Sequence, residues 1–239
     1  MEGRSVPAPG DTADGEGTPW ERRKTLGLIP AWARTVQLVL LEPGKAFRQV
    51  QVGRDADHFL FAVLTGSVFW ALNQLLGRLL AGPANQLMQD YARRVGAEGN
   101  PMLARILAAQ NQLSSPGWTL LLLLLSPLVV AIFLYLNAGV THLFALLFGQ
   151  AKRGFPATFA ACAYAHAPLV LLLIPGCGSF IAVIWMIVLI GIGLKETHGI
   201  GAGGATATVL APYLLLCCAC GGLSILMMAA MQKALAGAP

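Results

Sequence analysis

A bundle of five kinked membrane-spanning helices, preceded by an amphipathic helix at the bilayer surface, is the fold class this sequence predicts, and three observations predict it. Hydrophobic residues make up 56% of the 239 and charged residues only 11%, against about a quarter charged in ordinary soluble domains. Apolar runs approach or exceed the roughly 20 residues that carry one helix across a bilayer core of about 30 Å. These runs also lack periodic polar positions, as helices facing lipid require. The class is all-α and polytopic.

Residues 1–19 are Pro, Gly, Asp and Glu-rich and hold too little apolar surface to offset the entropy of ordering, so a disordered cytosolic tail is expected. They contain no hydrophobic segment of a cleavable signal, and insertion is expected to rely on the first membrane helix. The next segment, 20–58, turns basic and amphipathic: Arg22, Arg23, Lys24, Arg34, Lys45, Arg48 and Arg54 follow Trp20. Pro30 suits the first turn of a helix over 31–41, which Pro43 and Gly44 stop. Trp32, Val36, Val39 and Leu40 share one broad apolar face, with Arg34 and Gln37 off it. Two placements fit. The helix lies among headgroups, with Trp20 and Trp32 as anchors and its cations toward anionic lipid, or it packs on the bundle as a cytosolic cap. The candidate lipid or partner contacts are Trp20, Arg22, Arg23, Lys24, Trp32, Arg34, Lys45 and Arg48.

The five-helix domain is expected over 59–231. Its first span, about 59–80, carries Asn73 and Gln74, amides that at this depth turn toward protein or water. The interval 82–117 holds two short pieces of helical spacing broken at Gly99, Asn100 and Pro101, and reads as an extracytoplasmic helical insert. The second span, about 118–148, is roughly 46 Å long if fully helical and must tilt, kink or protrude. Pro127 supplies a kink by denying a hydrogen bond to the Leu123 carbonyl. Asn137, Thr141 and Ala145 recur at i, i+4 as a helix-packing face, with His142 beside it. Beyond Lys152 and Arg153, the third and fourth spans, about 156–174 and 179–194, fold back through Pro175, Gly176, Cys177 and Gly178 as a hairpin. His166 and Pro168 lie in its first arm. A Gly-rich connector opens the fifth span, about 205–231, which contains Pro212, and 232–239 form a short extracytoplasmic tail.

Basic residues in short loops orient the bundle. With the N-terminus in the cytoplasm, the inside carries the cluster from Arg22 to Arg54, Lys152, Arg153 and Lys195. The outside carries Arg78, Arg93, Arg94, Arg105 and Lys233. The N-terminus is therefore expected inside and the C-terminus outside.

Four stretches carry a family resemblance: WERRKTLGLIPAWARTVQLVLLEPGKAFRQV ahead of the first span, HLFALLFG at 142–149, FPATFAACAYAHAP at 155–168 and WMIVLIGIGLKETHG before the last span. In their order and spacing, over roughly 20–230, they resemble the Yip domain family, the Rab-interacting type of five-span membrane protein, and particularly its bacterial branch. The resemblance implies a cytosolic N-terminus, five spans and a C-terminus on the far side of a bacterial cytoplasmic membrane, in agreement with the loop charges. Eukaryotic members bind prenylated Rab-type GTPases, act in vesicle traffic and carry an acidic Asp-Leu-Tyr-Gly-Pro type motif near the first spans. No such motif stands in this chain, which argues against GTPase binding here.

Charge distribution excludes several kinds of chemistry. No Asp, Glu, Lys or Arg sits mid-span between 59 and 231, and Arg78 is within snorkelling reach of an interface. Proton pumps and many ion-coupled carriers place ionisable groups at that depth, so such mechanisms are disfavoured. His166, near mid-membrane, and His142, nearer the cytoplasmic end, remain. Such an imidazole coordinates metal, relays a proton or bonds a free carbonyl. Pro168 leaves the Tyr164 carbonyl without its helical donor, and no carboxylate or positioned Cys completes a metal set. Structural bonding is the expectation, within a candidate polar bundle site of Asn73, Gln74, Asn137, Thr141, His142, Tyr164 and His166.

The remaining motifs are weaker. Cys217 and Cys220 form C-x-x-C inside an apolar run where cysteines pack, and five cysteines with Cys177 in a loop make no disulfide framework. Gly199, Gly201 and Gly204 match G-x-G-x-x-G without a preceding strand and read as a connector. Ser179 has no His and carboxylate pair near it in sequence. No catalytic residue, metal or cofactor is assigned, and without a basic stripe interleaved with aromatics no nucleic acid partner is expected. The expected function is a non-enzymatic membrane-organising or partner-recruiting scaffold. Its expected partners are the bilayer, anionic lipid at the cytosolic face, and a membrane protein or second copy of the chain. The alternative is a small-molecule or ion permease around a polar cavity near His166. An intramembrane enzyme ranks third.

Overall fold

The computed structural model describes residues 17–94 and 115–236, and among these all regular structure is helical. Helices α1 (Arg23–Leu26), α2 (Leu28–Leu41) and α3 (Pro43–Gln49) form an N-terminal layer. The bundle consists of α4 (Asp55–Arg94), α5 (Pro116–Leu147), α6 (Gly154–Tyr164) with its 3-10 continuation (Ala167–Leu173), α7 (Gly178–His198) and α8 (Ala202–Ala236). Five segments are long and apolar enough to cross a membrane: Asp55–Leu80, Pro116–Leu147, Gly154–Leu173, Gly178–His198 and Ala202–Met228. The five-span expectation holds.

Boundaries differ at three places. Helix α4 runs without a break to Arg94, so the first part of the expected insert continues the first helix. The break expected at Gly99, Asn100 and Pro101 lies outside the described residues. Helix α8 continues through Ala236, so most of the expected tail is helical. The disordered tail was expected to extend through residue 19, yet Thr18 is fully buried; the packed unit includes 17–19 because their polar atoms have partners inside it.

Helix α6 occupies the centre. Most of this helical segment is buried, whereas α5 is largely exposed. Ala157, Ala160, Ala161 and Ala163 are all buried, and such small side chains let neighbouring backbones approach closely. Gly193 of α7 belongs to the same contact: a Cβ there would lie 2.8 Å from the Ala161 Cβ and 3.0 Å from the Phe47 ring. Gly66 of α4 meets α5 in the same manner, 2.7 Å from Val130. The hairpin expected from the sequence is thus the packing core, with α6 and its 3-10 continuation against α7. Helix α7 ends where Gly199 adopts left-handed backbone (φ 64°) and returns its N–H to the Lys195 carbonyl.

The prolines act differently from one another. Pro127 lies inside α5, and the Leu123 carbonyl it cannot serve accepts instead from the Ser126 hydroxyl at 2.8 Å. Pro212 also lies inside α8. Pro168 stands at the second position of the 3-10 segment, where the α-helix has already ended.

Of the two placements for the amphipathic helix, packing on the bundle is observed. Helix α2 begins at Leu28, earlier than expected, and buries Ala31, Thr35, Val36 and Val39. Trp32 stacks on Phe69 of α4 at 5.6 Å, and its indole N–H donates to Thr65 at 2.9 Å. Leu28, Ile29 and Leu41 remain exposed.

Candidate functional site

Three polar assemblies are built around α6 and its continuation. The first contains a buried acid. The Glu21 side chain is fully buried, and a carboxylate taken out of water is costly unless donors surround it. Four do: the backbone N–H of Thr18 at 2.8 Å, that of Gln51 at 3.2 Å, His58 Nε2 at 3.1 Å and the Tyr164 hydroxyl at 3.3 Å. Because Tyr164 donates to the carboxylate, the Thr18 hydroxyl, 2.8 Å away, donates to Tyr164. Gly17 makes this closure possible: its φ is +82°, and a Cβ would fall 2.5 Å from Glu21 Oε2.

Trp20 closes the other side. Its backbone N–H donates to Thr35 Oγ1 at 2.8 Å, its indole N–H donates to the Asp57 carbonyl at 2.7 Å, and its ring meets Phe61 edge-on at 5.6 Å. The Arg23 guanidinium lies 4.9 Å from the centre of the Trp20 ring and pairs with Asp57 at 2.5 Å, which also takes Arg54 at 2.6 Å. Acid, imidazole and phenol are thus in contact, the side-chain types that move protons. Their exposures of 5% for Glu21 and 0% for His58 and Tyr164 leave no room for a substrate. The group is a clamp fastening the N-terminal layer to α4 and α6.

The second assembly joins α5, α6 and α7. The Arg153 backbone N–H donates to His198 Nδ1 at 3.2 Å, which places the ring hydrogen on Nε2. His198 Nε2 donates to Thr158 Oγ1 at 2.9 Å. The Thr158 hydroxyl donates in turn to His142 Nδ1, also at 2.9 Å. Thr158 Oγ1 thus accepts once and donates once, an arrangement of neutral imidazoles that ties helix ends together. No group of three or more potential metal ligands occurs among the described residues.

The third assembly is open. A cavity of about 780 Å³ lies among α4, α5, the 3-10 segment, α7 and α8. Its walls are mainly hydrocarbon, with Asn137, Thr141, His166 and Tyr213 as polar members. His166 Nδ1 lies 2.9 Å from the Cys162 carbonyl, and since that oxygen only accepts, Nδ1 carries the hydrogen. The carbonyl expected to need a partner was that of Tyr164. The one His166 serves is Cys162's, because the helix tightens before Pro168: the His166 backbone N–H goes to Ala163 at 3.2 Å and abandons Cys162.

Comparison with known families then decides the relationship. The family model for the Yip1 domain matches residues 38–224, well over half of the chain. The chain belongs to the Yip1 domain family. Neither the curated proteins nor the solved structures gave a match. The Yip1 match spans the whole cavity wall together with His58 and Tyr164, whereas Thr18, Trp20 and Glu21 precede it.

Within the Yip1 domain the expected polar site divides. Asn137, Thr141 and His166 meet at the cavity. Tyr164 belongs to the clamp and His142 to the histidine chain. Asn73 and Gln74 are half-buried on α4 and stand outside the cavity wall. Among the expected lipid contacts, Trp20 is corrected: it has 0% exposure because both its N–H groups and its ring face have partners in the bundle. Arg23 is drawn into the ion pair with Asp57, Arg22 is half-buried, and Trp32 spends its indole N–H on Thr65. Lys24, Arg34, Lys45 and Arg48 are exposed. Sequence reasoning missed Glu21, His58, Thr158 and His198; only the KETH end of α7 offered a signal, a histidine one turn past the end of an apolar run.

Proposed function

We propose that this protein is a non-enzymatic scaffold of a bacterial cytoplasmic membrane, whose N-terminal layer recruits anionic lipid or a membrane-protein partner at the cytosolic face. The observation that carries the proposal is the Glu21 clamp. It makes the layer part of the bundle, so the exposed cations on that layer form a fixed pattern instead of a loose tether. Lys24 and Arg34 have no ion pair among the described residues, Lys45 reaches Glu42 at 3.3 Å and Arg48 reaches Glu196 at 3.7 Å. A cation beside an anionic leaflet contributes about 1 kcal/mol, and a pattern already ordered loses little entropy on engagement. Exposed Leu28 and Ile29 supply apolar contact on the same layer.

Other readings have less support. The acid, imidazole and phenol that would suit a reaction are sealed, and no carboxylate or cation lines the cavity, so neither an enzyme nor an ion permease draws on a specific feature. Removing residues 20–54 would also remove Trp20, Glu21 and Phe47 from the interior and so test folding. The direct test is neutralisation of Lys24, Arg34, Lys45 and Arg48 to Gln in the full chain. Loss of anionic-lipid enrichment or of crosslinked neighbours supports recruitment; a fully folded variant with both unchanged refutes it.

A further inference from the structure

We propose that the cavity beside His166 binds an uncharged lipid alcohol, a lipid whose hydroxyl donates to the His166 ring while its hydrocarbon chain fills the remaining space. This goes beyond the recruiting role of the N-terminal layer and does not depend on it.

The size suits a ligand: about 780 Å³ falls within the range of about 300–1,000 Å³ for small-molecule sites. Access comes from the side. Phe133, Leu136 and Leu216 line the cavity and are also 66%, 59% and 63% exposed, so the opening faces the hydrocarbon around the bundle, and the ligand enters from the bilayer.

One acceptor that reaches this cavity lacks a donor. With its hydrogen on Nδ1 and directed to Cys162, a neutral His166 ring offers Nε2 as a lone pair, and no partner for it occurs among the described residues. Asn137 Oδ1 is sealed from the cavity, and the Asn137 side chain is hydrogen-bonded to Tyr213 of the same wall. An unmade hydrogen bond at such a group carries the full desolvation cost, and a hydroxyl hydrogen is what removes it. An ester, ketone or ether lipid brings only acceptors and leaves the deficit in place. A phosphate or carboxylate headgroup is excluded on another ground: no Lys, Arg, Asp or Glu lines the cavity, so the charge would lose its hydration with nothing to replace it. The rest of the wall, including Val129, Val130 and Leu172, is matched to an acyl chain.

The test uses the full chain in phosphatidylcholine nanodiscs with a diazirine-bearing diacylglycerol as photoprobe. Labelling is expected on peptides of α5 and α8 that line the cavity. Dioleoylglycerol should compete, its 3-O-methyl ether should compete about tenfold less well, the worth of one hydrogen bond to a buried acceptor, and dioleoylphosphatidylglycerol should not compete. His166→Phe, which keeps a ring but removes the acceptor, should weaken labelling by up to about tenfold and narrow the difference between alcohol and ether. Leu216→Trp, on an exposed face where folding is not at risk, should block the apolar part and cut labelling several-fold. Equal competition by the ether, equal competition by phosphatidylglycerol, labelling elsewhere, insensitivity to Leu216→Trp, or a cavity shielded by a second copy and unlabelled would each overturn the proposal.

Discussion

Tyr164 and His166 are near neighbours at the end of α6, yet they belong to opposite kinds of interior. Tyr164 enters a closed assembly in which the Glu21 carboxylate meets four donors and the phenol both donates and accepts. His166 spends one nitrogen on the Cys162 carbonyl and turns the other side of its ring to a cavity, where its second nitrogen has no partner among the described residues. The transition from α to 3-10 helix between them divides a packed polar cluster around Glu21 from an open cavity. A buried carboxylate ringed by donors holds the fold, whereas a ring nitrogen facing open space leaves room for a ligand.

That contrast can be broken by substitution, and the largest effect belongs to the closed side. Glu21→Ala strands two backbone N–H groups, an imidazole and a phenol, and should lower stability by about 3–5 kcal/mol, read as a fall in melting temperature in detergent. Glu21→Gln keeps the acceptor oxygen and should lose less; an unchanged melt for the alanine variant would remove the clamp. On the open side, His166→Ala should cost about 1–3 kcal/mol, because the Cys162 carbonyl is left without a partner. If it instead cost nothing, the ring would serve the cavity alone. Tyr164→Phe removes one hydroxyl from a cluster with other donors and should cost about 1 kcal/mol. The reverse order for Tyr164→Phe and Glu21→Ala would move the centre of the clamp to the phenol. The smallest effect is expected at Lys24→Gln and Arg34→Gln, within about 0.5 kcal/mol by thermal melt, since both side chains are exposed.

The same contrast separates what the amino-acid sequence reveals from what it hides. Spans were legible because length and hydropathy are local: the turn at Pro175 to Cys177 and the starts of α5 and α7 fall where Gly and Pro place them. The role of α6 was also legible, since a run of alanine beside aromatic residues can pack closely on all sides. Glu21 was not, because a lone acid in a basic stretch looks solvated; its burial depends on His58 and Tyr164, distant in sequence. Trp20 misled for a related reason. Tryptophan suits an interface, but here Thr35 and Asp57 supply the partners that water or headgroups otherwise would. His166 was recognised as a residue bonding a freed carbonyl, and the choice of carbonyl failed because the shift to 3-10 bonding begins ahead of Pro168. Asn137, Thr141 and His166 were found together since helical spacing and depth place them at similar levels, whereas Asn73 and Gln74 satisfied the same rule on a face the cavity does not reach.

The exposed side of the clamp carries the functional proposal, and lipid analysis reads it directly. Polymer discs extracted from cells expressing the full chain, with Lys24, Arg34, Lys45 and Arg48 intact or all changed to Gln, can be compared for phosphatidylglycerol content and crosslinked neighbours at matched melting temperature. Recruitment by the N-terminal layer predicts that the neutralised protein loses anionic-lipid enrichment, its crosslinked neighbour, or both. The same lipid composition and the same neighbours in both proteins would contradict it.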